Sequence, residues 1–245
     1  MRGIAVAGAL SLILCPGPAA AQSYGGASSS DLLGYRSSVG HYKSRSVGAR
    51  VRSEAARRPV ARQGTGGRAR PAAPAVRTPL GSTAFRPVGP PLFPKQFAAE
   101  FPRNPVLESY FNSLLSAYKE LLQRLSVAPN DVSRAASFLI ASSYFVLNDG
   151  QELDEAQFVG LRTQMREIMG SDPEFQRLND QEKQKLYEKY AIFGMHLRTA
   201  HSLYSRSGNR KELASTKAMA REQLEDVFGL PAGRLVFRTT GVHLR

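Results

Sequence analysis

The segment that comes nearest to a chemical site is an acidic turn between two predicted helices. Four of its oxygen-bearing side chains, those of Asn148, Asp149, Glu152 and Asp154, are the candidate ligands, because oxygen atoms are the ligands that calcium prefers. The spacing does not match a calcium loop, because the alternating ligands are missing and the twelfth position is Val159 instead of glutamate. We therefore predict no metal site, and these four residues are the candidates to compare with the structure.

The histidines do not form a metal-binding pair. His196 and His201 are five residues apart, and this separation places them about 140° apart around a helix. His201 lies on an apolar stripe, so we predict a core histidine with one hydrogen-bond partner. The sequence also lacks the nucleophile elbow, the phosphate-binding loops and the zinc-protease motif of common enzyme classes. We predict no catalytic residue and no cofactor.

Caps and apolar stripes indicate the helices that position these residues. Asn130 or Asp131 opens a helix that is apolar or small on nearly every side from Ala135 to Leu147, a pattern typical of a buried helix. Capping boxes at Asp154–Gln157 and Asn179–Glu182 open the next two long helices. The pattern predicts an all-α fold, a compact bundle of about five helices around a buried central helix.

Other signals place the boundaries of the remaining elements. Asn104, followed by proline, predicts the start of an earlier helix. Gly170 is predicted to end the helix that Asp154 opens, and the long helix after it is predicted to run to about Ser205, with the break at Gly208-Asn209. Residues 234–241 have a strand-like composition, and we expect an extended tail packed on the bundle.

The first 21 residues have the pattern of a secretory signal peptide. Arg2 gives a positive start, residues 3–15 are apolar, and three alanines precede a predicted cleavage between Ala21 and Gln22. Cleavage would remove Cys15, the single cysteine of the chain, so the mature protein would form no disulfide. The apolar run is too short for a transmembrane helix, and we expect a periplasmic or extracellular protein.

Residues 22–94 form a predicted linker that is rich in Arg, Pro, Ala, Ser and Gly. They contain 12 Lys+Arg and 2 acidic residues, a net charge of 12 − 2 = +10, whereas residues 95–245 contain 20 and 18. This composition predicts disorder, with the folded domain over residues 95–245. Two interpretations remain open: an electrostatic tether to an anionic envelope surface, or a linker whose charge only keeps it solvated.

Several motifs of the helical part resemble an uncharacterised family of secreted bacterial proteins, known as a domain of unknown function. The motifs are Asn130-Asp131-Val132, Tyr144, Gly150–Leu153, Leu186-Tyr187-Glu188 and Phe228–Pro231 before Arg234–Phe237. The resemblance covers about residues 85–241. It implies an all-helical domain and no activity.

The sequence favours a non-enzymatic binding or structural module of the cell envelope. One alternative is an enzyme or small-ligand-binding protein whose site is assembled from residues scattered along the sequence. Another is an inhibitor or chaperone-like partner of a second secreted protein. The partner would be another envelope protein, or an anionic surface contacted by the basic tail. A pocket with convergent ionisable groups would distinguish a ligand site from an apolar docking surface.

Overall fold

A computed structural model describes residues 80–101, 104 and 106–245. The predicted signal peptide, its cleavage site and residues 22–79 of the linker lie outside these residues. Within the described part the elements are α1 (Phe93–Ala99), α2 (Leu107–Arg124), α3 (Val132–Leu147), α4 (Glu155–Ser171), α5 (Pro173–Gln176), α6 (Asp180–Ser207), α7 (Arg210–Phe228), a 3-10 turn (Ala232–Arg234), β1 (Leu235–Arg238) and β2 (Gly241–Leu244). Five of the helices are long, so the predicted all-α bundle is confirmed.

Two helices form the centre of the bundle, where we predicted one. Twelve of the 16 residues of α3 are buried, as its apolar sequence requires. The middle of α6 is buried on nearly every side as well. The two helices approach closely at Gly194 of α6, where a Cβ atom would lie 2.6 Å from the ring of Phe138.

Most of the predicted helix boundaries are confirmed. Asp131 caps α3 by accepting a hydrogen bond from the Arg134 N–H, and both capping boxes are formed, at Asp154 of α4 and Asn179 of α6. Gly208 ends α6 in the left-handed conformation, with φ 68°, which glycine adopts without strain. These signals are local, and each of them acts where the sequence places it.

Two predicted boundaries are wrong. The helix expected after Asn104 begins at Leu107, and its N-cap residue makes no side-chain cap bond; the Asn104 carbonyl instead accepts from the Leu107 N–H at 3.2 Å. Gly170 does not end α4, which continues to Ser171. The small size of Gly170 instead allows close packing, because a Cβ atom at this position would lie 3.0 Å from the Gly81 carbonyl oxygen.

Residues 80–92 form an N-terminal strap across the bundle. We predicted residues up to 94 to be disordered linker, with an extended lead-in from Pro87 that lays its rings against the domain. The prediction of disorder is wrong for residues 80–94, whereas the expected burial of Phe93 is observed. The rings of Phe85 and Phe93 are buried in the core, and the Thr83 carbonyl accepts a hydrogen bond from the Val132 N–H at 3.0 Å. Two large rings and a bound backbone make ordering favourable despite the polar composition of the segment.

The C-terminal segment forms an antiparallel hairpin of β1 and β2, where we predicted a single extended tail. Gln164 of α4 binds both the N–H and the carbonyl of Val242, at 2.8 and 2.9 Å, as a neighbouring strand would. A Cβ atom at Gly160 would lie 2.1 Å from the Thr239 carbonyl oxygen. The hairpin therefore lies directly on the backbone of α4. None of the described helices is long and apolar enough to cross a membrane.

Candidate anion-binding site

The four metal candidates are each engaged by the protein. Asn148 and Asp154 cap the end of α3 and the start of α4. Asp149 pairs with Lys217 of α7, and Glu152 pairs with a buried arginine of α6. The described part of the chain contains no group of three or more potential metal ligands. The turn therefore connects helices and does not gather its carboxylates around a common point.

Glu152 and Arg198 form the most enclosed ion pair of the described residues. Two guanidinium nitrogens of Arg198 bind the Glu152 carboxylate, the shorter contact at 2.5 Å, and the guanidinium lies 4.5 Å from the ring centre of Phe145. Burial lowers the pKa of Arg198 and raises the pKa of Glu152, in each case more than the partner's charge compensates. The ion pair attaches the turn to α6. The free-energy cost of removing both charged groups from water offsets much of the attraction between them.

The two histidines have separate environments. His201 is buried against the ring of Phe145, at a centroid distance of 5.0 Å; the hydrogen-bond partner that we predicted for it is not found among the described residues. His196 is 2 % exposed, and its Nδ1 lies 2.8 Å from the Tyr110 hydroxyl. Burial lowers the pKa of His196 to about 4. His196 and Tyr110 therefore share a hydrogen bond, and the tautomer of the neutral imidazole decides which of the two donates.

The buried His196 predicts acid sensitivity. Its pKa is about 4 in the fold and 6.5 when exposed, so the unfolded chain binds its proton first. The stabilisation is complete above pH 6.5 and is lost as the pH falls towards 4, by about 2–3 kcal/mol between pH 7.5 and 4.5. Denaturant unfolding at pH 7.5 and 4.5 should show that the free energy of unfolding falls less in His196→Gln than in the wild type. Burial also lowers the pKa of His201, by a smaller amount, so His201→Gln should reduce the acid-induced loss less than His196→Gln does. An equal loss in wild type and His196→Gln would contradict the assignment.

A surface pocket of about 190 Å³ lies between the start of α3 and the outer face of α4. We call it the arginine pocket, and it is lined by Asp131, Ser133, Arg134, Val159, Arg162, Thr163 and Arg166. Arg162 and Arg166 are one helical turn apart on α4. Arg134 reaches the same pocket from α3, and its guanidinium also donates to the Ala128 carbonyl. Three arginine residues from two helices therefore line one small pocket.

The charges of the arginine pocket are incompletely balanced. No salt bridge in the described residues involves Arg134, Arg162 or Arg166. The single lining carboxylate, Asp131, already accepts hydrogen bonds from Thr83, Ser133 and the Arg134 N–H. Burial lowers the pKa of Arg162, and the nearby positive charge of Arg134 lowers it further. An anion between the guanidinium groups would relieve this repulsion.

Three buried polar atoms of the described residues lie near Arg134 and Asp131 without a hydrogen-bond partner. They are Nε of Arg134 and the hydroxyls of Tyr118 and Tyr187, and both hydroxyls interact electrostatically with Arg134 and Asp131. Buried polar groups are nearly always paired in folded proteins. This inner region is therefore more polar than the helix packing requires.

Sequence reasoning missed the arginine pocket. The spacing of Arg162 and Arg166 is visible in the sequence, and it would have indicated a basic stripe on one face of α4. The contribution of Arg134 could not be read in the same way. It depends on how α3 packs against α4, and the sequence shows Arg134 only as a polar residue in the first turn of a buried helix.

The fold and the pocket together define a small helical-bundle domain with an arginine-lined surface site. The chain belongs to a family of unknown function, DUF6683, whose model matches residues 1–245. This membership confirms the predicted relationship to an uncharacterised family and assigns no activity. No curated protein and no solved structure significantly matches the chain.

Proposed function

We propose that this protein is an exported binding module whose helical domain holds an anionic ligand in the arginine pocket. The observation that carries this proposal is one pocket lined by three arginine residues from two helices, which form no salt bridge within the described part of the chain. Arginine binds oxyanions through two parallel N–H donors, a geometry that gives both affinity and orientation. On a helix face that is merely solvated, arginine residues from two different helices would not need to line the same pocket.

The residues around the pocket favour binding over catalysis. The lining contains no histidine, lysine or cysteine. Its one serine, Ser133, donates to Asp131 at 2.7 Å, and Asp131 is engaged by other donors as well. Ser133 therefore has no histidine, lysine or cysteine partner in the lining, which a catalytic serine commonly requires for activation.

Replacing Arg162 and Arg166 together by alanine is expected to weaken anion binding about 10- to 100-fold. Two charge-assisted contacts at a partly exposed site contribute about 1–3 kcal/mol in total. Titration of the full chain with sodium sulfate at constant ionic strength, followed by calorimetry, measures the change. The fold should be retained, because Arg166 is exposed and Arg162 is half-buried at the surface.

A matched control removes two arginines outside the pocket. Arg210 and Arg221 are exposed on α7, so Arg210→Ala/Arg221→Ala lowers the net charge by the same amount. Sulfate affinity should stay at the wild-type value in this control. The basic residues of the linker are present in every variant, so they do not affect the comparison. Equal weakening in both double variants would show general charge attraction and would exclude the pocket.

Export is the second component of the proposal, and it rests on the signal-peptide pattern. The mature protein should begin at Gln22, which N-terminal sequencing of the protein purified from its source can test. A mature chain that still begins at Met1 would contradict export by cleavage. The positive charge of residues 22–94 supports a supplementary electrostatic contact with an anionic envelope surface, which would weaken as salt is added.

A further inference from the structure

The number of charges at the arginine pocket limits the ligand that it can neutralise. Three guanidinium groups and the single carboxylate of Asp131 give a formal charge of 3 − 1 = +2. A carboxylate or a phosphate diester carries one negative charge and would leave half of this charge uncompensated. A phosphate monoester carries about −1.5 to −2 at neutral pH.

The hydrogen-bond donors at the pocket also favour a phosphate monoester over a carboxylate. Two of the first-turn amides of α3 are not available, because Val132 N–H binds the Thr83 carbonyl and Arg134 N–H binds Asp131. Recognition therefore falls to the three arginine side chains, the hydroxyl of Thr163 and the remaining first-turn amide, that of Ser133. One forked guanidinium already occupies both oxygens of a carboxylate. Three arginine residues lining one pocket from two helices supply enough donors for a group with three terminal oxygens.

The size and wall of the pocket indicate that the ligand has an organic part. At ~30 Å³ per water molecule, the volume of 190 Å³ exceeds what a bare tetrahedral anion requires. Val159 lines the same pocket, and its side chain is 52 % exposed. A carbon substituent on the phosphate can rest on this apolar side chain while the phosphate contacts the arginines.

We infer that the arginine pocket binds the dianionic phosphate group of a phosphate monoester, with its organic part against Val159. This inference rests on the proposed anion-binding function and specifies its ligand class. The class includes free phosphorylated small molecules and the terminal phosphates of larger ones, which share the same group.

The test uses the ionisation of the ligand, because the second pKa of a phosphate monoester is about 6. The charged residues facing the pocket are Asp131 and Arg134 from the start of α3, and Arg162 and Arg166 from α4. Tyr118 faces them from α2 and Tyr187 from α6, and burial raises the pKa of both hydroxyls, that of Tyr187 to about 12. Arginine and these tyrosines keep their charge states between pH 5 and 7.5.

Calorimetry on the full chain would compare phenyl phosphate, dimethyl phosphate, acetate and sulfate at pH 7.5 and 5.0. We expect phenyl phosphate to bind at least tenfold more tightly than dimethyl phosphate or acetate at pH 7.5. Its affinity should fall about tenfold at pH 5.0, as the dianion is protonated. Sulfate, a dianion at both pH values, should bind equally well at both.

Two results would overturn the ligand assignment while leaving the anion site in place. One is equal affinity for phenyl phosphate, dimethyl phosphate and acetate. The other is a parallel loss of sulfate and phenyl phosphate affinity at pH 5.0, because the titrating group would then belong to the protein. If phenyl phosphate binds the Arg162→Ala/Arg166→Ala variant as tightly as the wild type, the proposed function itself fails.

Discussion

Replacing Glu152 by alanine is expected to lower the free energy of unfolding by about 3–5 kcal/mol. Arg198 is 3 % exposed, and its ion-pair partner among the described residues is Glu152. The variant would leave a charged guanidinium in the core, enclosed by the rings of Phe138 and Phe145. Urea unfolding followed by circular dichroism gives the change directly.

The same pair predicts that a double variant is more stable than the single one. Burial shifts the pKa values of Glu152 and Arg198 against their charged forms, so the pair gains little over an apolar replacement of similar volume. Glu152→Leu/Arg198→Met should therefore recover most of the stability lost in Glu152→Ala, because the flexible thioether side chain can pack against the two rings. If the double variant is as unstable as Glu152→Ala, the pair contributes net stability and this interpretation is wrong.

The elements that the sequence predicted well are those specified by neighbouring residues. The cap at Asp131 and the boxes at Asp154 and Asn179 each act within three residues of the helix start. The apolar character of α3 identified it as buried without any knowledge of its partners. Local signals of this kind do not depend on which helices meet, and so the sequence shows them directly.

The elements that were missed depend on contacts between distant parts of the chain. Residues 80–94 have a linker-like composition, and their order comes from residues about 95 positions away, such as Gln184 and Glu188. The hairpin is held by Gln164, which reads as an ordinary polar residue of α4. The arginine pocket likewise needs α3 and α4 together. Polar residues in a helical sequence are normally predicted to face solvent. Here Gln164, Gln184 and Glu188 instead bind backbone groups of distant segments.

Replacing Glu188 by alanine is expected to release the N-terminal strap and to lower the free energy of unfolding by about 3–5 kcal/mol. Glu188 is 3 % exposed, and one of its carboxylate oxygens accepts from the N–H groups of Leu92 and Phe93, both at 2.8 Å. Hydrogen bonds to a charged group contribute about 1.5–3 kcal/mol each. Both amides lie at the start of α1, where no intrahelical acceptor is available.

Glu188→Gln separates the hydrogen bonds from packing, because glutamine keeps the shape of the side chain. Its single oxygen can still serve Leu92 and Phe93, but its amide then faces the Gln184 amide that donates to Glu188 in the wild type. An intermediate loss of about 1–2 kcal/mol is expected, from one broken hydrogen bond in the core. Glu120→Ala is the control on the exposed face of α2, where its pair with Arg124 is solvated and worth less than about 1 kcal/mol.

Hydrogen exchange shows whether the strap opens before the rest of the domain. In Glu188→Ala the amides of Leu92 and Phe93 should exchange much faster. The amides in the middle of α3 exchange through global unfolding, so their rates should rise only by the amount that the loss of global stability predicts. Release of the strap would also withdraw the Thr83 hydroxyl from Asp131, to which it donates at 3.0 Å, and Asp131 lines the arginine pocket. Sulfate affinity should consequently change in Glu188→Ala and stay constant in Glu120→Ala. Unchanged exchange at Leu92 and Phe93 would mean that the core rings alone hold the strap in place.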